Sequence, residues 1–279
     1  VATVVRAPEA AIPLHSLLRA AVTGAALDGE PGWERGLTYA PETPGGYRGL
    51  AACSAATVEH LTDAVPVVDY TPWYLQVEHP CRTLAGYDRA AIDAELRRAL
   101  DAVESYAIAR ELWLGELTDA EFDAGDRDVR NLALVRGAEV LNGGDPVSPR
   151  RALGLVEQAI GERLRGQRGY IHTSREVFPY LPDTGTTQTG NLVTTQLGTL
   201  VVADAGYPGT PPAGEAAAPG VGWVFGTGPV VVRRGPVDAD GPDAEVVDTR
   251  TNTVTRRVGR PVAATFDRAA HVAVAVTLA

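Results

Sequence analysis

The side chains best suited to covalent chemistry in this 279-residue sequence stand together at His172, Thr173 and Ser174, with Asp183 a short way downstream. A hydroxyl nucleophile needs a neighbouring base, and the base needs an acid to orient it. The run YIHTS at 170–174 has the pattern of a strand, in which adjacent side chains point to opposite faces, and Ser174 has no GxSxG turn to present it to a substrate. These residues are therefore expected to make ordinary hydrogen bonds at a strand end.

Other chemistries fare no better. The five histidines, His15, His60, His79, His172 and His271, are scattered at spacings that preassemble no metal ligands. Glu95, Glu104 and Glu111 share a helical stretch with Arg97, Arg98 and Arg110, so solvated faces or subunit contacts account for them better than paired catalytic carboxylates. No GxGxxG follows a strand, and no lysine is available for a phosphate loop, because all 25 basic residues are arginine. The expected set of catalytic, cofactor-binding and metal-binding residues is empty: not an enzyme, and no cofactor.

The elements that would position these residues change character along the chain. Residues 1–30 mix prolines with a short apolar-faced helix at Leu14, Leu17, Leu18, Ala21 and Val22. Residues 30–50 are rich in turns, and AVPVVDY and WYLQVEH read as strands between Cys53 and Cys81. Asp88 caps a helix predicted to reach Trp113 on the spacing of Ile92, Leu96, Leu100, Val103 and Ala107, and Gly115 stops it. Ser148 and Pro149 open a second helix through Leu153, Val156, Ile160 and Leu164, ending near Gly166. Strands follow at 170–174, 200–204 and between 221 and 234, with an exposed excursion expected at 206–220. The tail NTVTRRVGR, PVAATFD and HVAVAVTL reads as antiparallel strands closing a sheet. Each of Trp33, Trp73, Trp113 and Trp223 reads first as core packing.

A net charge of -10 argues against sequence-reading DNA binding while leaving room for a local arginine patch. No apolar run approaches the roughly 20 residues of a membrane helix, and no membrane partner is expected. Two cysteines among 279 residues form neither a zinc cluster nor a disulfide framework.

The stretch AELRRALDAVESYAIARELWLGE at 94–116, joined in order by PWYLQVEHPC, GYIHTS, GTLVVADAGYPG, GWVFGTGPVVVRRG and DTRTNTVTRRVGRPVAATFDRAAHVAVAV, resembles the major capsid proteins of tailed bacteriophages (Caudoviricetes), in particular those of actinobacterial phages. The resemblance implies an α+β, HK97-like capsid fold: an N-terminal arm at 1–30, an extended loop at 31–80, a peripheral domain at 81–167 with its spine helix at about 88–113, an axial domain at 168–251, and C-terminal strands at 252–279 returning to the peripheral domain.

It further implies a virion protein, assembled in the host bacterial cytoplasm as hexamers and pentamers of an icosahedral head shell. That shell would hold double-stranded DNA without reading its sequence and would work with decoration, portal and scaffolding proteins. The lysine-to-asparagine crosslink of some relatives is excluded by the absence of lysine, and the absent methionine fits removal of an N-terminal segment during maturation. Rival readings are an encapsulin-like nanocompartment shell, a soluble hydrolase, and a tail or head-completion ring protein.

Overall fold

Strands whose two faces are both buried need a covering layer on each side, and this chain supplies those layers with two helices and two large sheets. The computed structural model describes residues 16–23, 33, 36–39, 47–50, 57–60, 68–81, 88–116, 131–181, 186–189, 192–212, 216–239 and 244–278. In chain order the first elements are α1 (Leu17–Ala20), β1 (Val22–Thr23), β2 (Leu37–Tyr39), β3 (Tyr47–Leu50), β4 (Thr57–His60), β5 (Val68–Tyr70) and β6 (Trp73–Cys81). The long helix α2 (Arg89–Leu114), β7 (Glu139–Val140), α3 (Pro149–Arg163), β8 (Tyr170–Thr173), β9 (Thr186–Thr189), β10 (Leu192–Thr195) and β11 (Leu200–Val202) come next. The chain finishes with β12 (Val221–Thr227), β13 (Val230–Arg234), β14 (Glu245–Asp248), β15 (Thr253–Phe266) and β16 (Val272–Thr277).

Helix α2 has the boundaries its sequence predicts. The Asp88 carboxylate accepts from the Ala91 N–H at 3.1 Å. Gly115 closes the other end in the left-handed region at φ 67°, its N–H bonded to the Glu111 carbonyl at 2.7 Å. Its 26 residues rise about 39 Å at 1.5 Å each. Helix α3 begins at Pro149 as expected, but Ser148 fills the cap position without a side-chain bond to the helix.

A seven-stranded sheet runs β7-β16-β12-β8-β11-β10-β9. On one face Ile171, Val224, Val272, Val274 and Val276 pack under Ala152, Val156 and Ile160 of α3. A Cβ at Gly226 would stand 2.7 Å from Val156, so the glycine lets helix and sheet approach. The other face carries Tyr170, Val202, Phe225 and Ala273 into a second core with α2. The alternation of valine and alanine in β16 thus sorts side chains by size between two dry faces, not by polarity.

The five-stranded sheet has the order β1-β13-β15-β14, with β6 on the free side of β15. Strand β6 follows β15 for nine pairs, from Cys81 opposite Val254 to Trp73 opposite Val262. Leu96 and Leu100 of α2, Trp73 and Leu75 of β6, and Val258 and Val262 of β15 form the core beneath it. Two small two-stranded sheets, β2 with β5 and β3 with β4, belong to neither large one.

Two expectations are corrected by this arrangement. The tail does not close one sheet: β15 is a single strand in the five-stranded sheet, whereas β16 lies between β12 and β7 in the other. A 3-10 turn at Arg268–Ala270, begun by Asp267 accepting from the Ala269 N–H, swings the chain across. Helix α3 and β16 pack with strands of the 168–251 segment. The 206–220 excursion is anchored at its start, because Tyr207 is buried and Gly206 lies so close to α2 that a Cβ would meet the Tyr106 carbonyl at 2.3 Å.

Candidate functional site

Strand β8 places His172 in the dry layer between the seven-stranded sheet and α2, with no exposed surface. Its Nε2 lies 2.9 Å from Thr227 Oγ1 and its Nδ1 2.9 Å from the Tyr207 hydroxyl. Thr227 donates its one proton to the Gly228 carbonyl, so it accepts from Nε2–H and leaves Nδ1 to accept from Tyr207. Burial, with a smaller contribution from His271, pushes the His172 value down to about 3. A neutral imidazole with both nitrogens occupied has no lone pair left for a substrate proton.

Among the described residues, Thr173 and Ser174 make no hydrogen bond to its imidazole. Ser174 Oγ accepts from the Val177 N–H, and Asp183 lies outside the described residues. His271 donates from Nε2 to the Leu134 carbonyl at 3.0 Å, and burial lowers its value to about 4. Among the described residues no three His, Cys, Asp or Glu side chains cluster as metal ligands. Cys53 falls outside the described residues and Cys81 is half-buried at the end of β6, opposite Val254. Trp73 and Trp113 are core residues, the latter edge-on to Phe225 at 4.8 Å, while Trp33 and Trp223 are half-buried.

The ionisable groups that organise the fold are elsewhere. Glu104 is 3% exposed, not solvated as its helical neighbours suggested; its carboxylate accepts from Arg234 at 3.0 Å and Arg260 at 3.2 Å. Glu111 is buried too. Arg256, 1% exposed, binds both oxygens of Asp93 at 2.6 and 2.9 Å and the carbonyls of Ala239 and Ala244. That guanidinium holds the Asp93 carboxyl below its usual range. Two charged clamps therefore fix α2 to β13 and β15.

A third hub is Asp204. Its carboxylate accepts from the Leu17 N–H at 2.8 Å, the Gly206 N–H at 2.9 Å and the Ser105 hydroxyl at 3.4 Å. Burial raises its value, and the Gly206 and Leu17 bonds oppose the rise. It ties α1, α2 and the chain after β11 at one point. The signal missed in the sequence was the arginine doublet within a strand: alternation sends Arg256 inward and Arg257 outward to Glu78.

These buried charges and hydrogen bonds lock the layers of the fold together. In backbone comparison the chain overlays the capsid of a native GTA particle with a TM-score of 0.53 at 12% identity, over 100% of this chain and 93% of that one. The capsid of an empty GTA particle gives 0.51 at 14% identity, over 100% and 92%. The fold is α+β and similar to HK97-like capsid folds. The holo-SrpI encapsulin complex from Synechococcus elongatus aligns at 0.45 and 10% identity, over 85% of this chain and 83% of that one. No family model and no curated protein sequence matches the chain.

Proposed function

We propose that this chain is a non-enzymatic major capsid protein, related to those of actinobacterial phages, that assembles as hexamers and pentamers into an icosahedral shell around double-stranded DNA. The observation that carries the reading is overlay on GTA capsid subunits along the whole of this chain and more than nine-tenths of theirs. Residues 1–30 act as an arm, residues 31–80 as a loop reaching a neighbour, and α2 as the spine. The two-stranded β3–β4 sheet fits a reaching loop, because an isolated hairpin is marginal in water and gains stability against a partner.

In this reading arginines on the inner surface touch phosphates without reading bases. Portal, scaffolding and decoration proteins are the further partners, and the virion is the final location after assembly in the host bacterial cytoplasm. The purified protein is expected to sediment as megadalton hollow particles by analytical ultracentrifugation and negative-stain microscopy. A strictly monomeric or small-ring population across salt conditions overturns the proposal. Protein cargo in place of nucleic acid inside the particles assigns the encapsulin role instead.

A further inference from the structure

We infer that the free edge of β6 pairs antiparallel with the same edge of a second copy of this chain, centred on Val77. Among the described residues β6 has one partner strand, β15, so its other side is an edge 9 residues long. Arg257, Gly259 and Pro261 of β15 spend their backbone groups away from β6, on Ala244, Asp238 and Gly235. Their opposite numbers in β6, Glu78, Gln76 and Tyr74, therefore form non-hydrogen-bonded pairs with β15, and their own N–H and C=O groups point to the free edge.

The burial along the strand fits an open edge. Trp73 and Leu75 are buried on the core face, whereas Val77, His79 and Cys81 on that same face are only half-buried. A long uncovered edge is a template for another chain, and proteins that guard against this place proline or charge along it. Pro80 stands where its missing N–H would face the edge, one residue before the strand ends. It stops a ladder at that end and leaves the stretch from Tyr74 to Glu78 able to pair.

The edge is complementary to itself. Pairing centred on Val77 sets Gln76 opposite Glu78 of the second copy and Tyr74 opposite Pro80, each twice by the twofold symmetry. Glu78 holds Arg257 on Oε2 at 3.3 Å, and its Oε1, which makes no bond among the described residues, can accept from the facing amide. The Gln76 and Glu78 pairs supply two backbone bonds each and the Tyr74 and Pro80 pairs one each, about six in all. One register away, Glu78 meets Glu78 and two carboxylates repel; the opposite slip sets Glu78 against Tyr74. Such a contact joins two copies about a twofold axis, goes beyond the shell reading and needs no closed shell.

The test uses the full chain with both native cysteines replaced by serine and a new one introduced by Val77→Cys or Gln76→Cys. Facing Cα atoms in a non-hydrogen-bonded antiparallel pair are about 4.5 Å apart, so position 77 can form a disulfide with its own copy under mild oxidation. Expected is a product of doubled mass on non-reducing gels for Val77→Cys and far less of it for Gln76→Cys. In the chain with its own cysteines, Gln76→Glu should raise the protein concentration needed for association roughly fivefold. Adding Glu78→Gln should restore it, with thermal midpoints close to the parent throughout. No doubled-mass product from Val77→Cys, a preference for position 76, or a double variant as weak as Gln76→Glu overturns the pairing. Particles that form while position 77 stays unlinked also overturn it and leave the shell reading standing, whereas linked dimers without particles support the pairing and count against the shell alone.

Discussion

At the scale of single residues, the two buried histidines set how the protein meets acid. His172 and His271 stay neutral in the folded chain, their values pushed down to about 3 and about 4, mainly by burial. Unfolded, each titrates near 6.5. Below that value the unfolded chain binds more protons, so the stability these residues contribute is full above pH 6.5 and drains away as pH falls towards 4. Each adds a slope approaching about 1.4 kcal/mol per pH unit. Urea midpoints measured at pH 7, 6 and 5 should fall steadily, and His172→Gln should remove about half of that slope.

At the scale of elements, the bond between α2 and the five-stranded sheet depends on which charges are dry. Asp93→Ala strands the Arg256 guanidinium in the interior and is expected to cost about 3–5 kcal/mol. Glu78→Ala removes a carboxylate whose pair with Arg257 sits in water, and should cost at most about 1 kcal/mol. Equilibrium urea unfolding of the two variants side by side checks the difference. Equal losses would mean that the Asp93 clamp does not hold the helix to its sheet.

Helix α2 and the start of α3 were legible because their signals are local: Asp88 and Gly115 at the ends of one, Pro149 at the start of the other, and apolar spacing between. The assignment of β15 and β16 to different sheets was not legible, since both read as β-favouring runs and only the turn at 268–270 separates them. Glu104 was misread for a related reason. Its partners lie 130 and 156 residues away on strands, beyond the reach of helical spacing. Tyr207 was hidden in a glycine- and proline-rich stretch because its burial comes from α2 and β8, which no nearby residue announces. The resemblance supplied the α+β fold class, whereas the ionic clamps and the Asp204 hub came only from tertiary contacts.

At the scale of the whole molecule, the large sheets carry their own cores, while among the described residues β3 and β4 pair only with each other. Replacing residues 46–61 with a short glycine–serine linker should therefore leave a folded subunit, with a thermal midpoint within a few degrees of the parent, that no longer builds particles. Circular dichroism and light scattering read the two halves of that statement. Full-sized particles from the shortened chain would show that this hairpin is dispensable for contact between subunits.

Strand β16 sets a clock as well as a surface. Among the described residues it is the last strand in the order of synthesis, yet it lies inside the seven-stranded sheet, between β7 and β12. Until it arrives, β12 has an open edge and the valine layer under α3 is missing three of its members, Val272, Val274 and Val276. A half-made chain on the ribosome therefore cannot present the finished α3 face, however long it waits. The core beneath α3 is complete only once translation has passed residue 277.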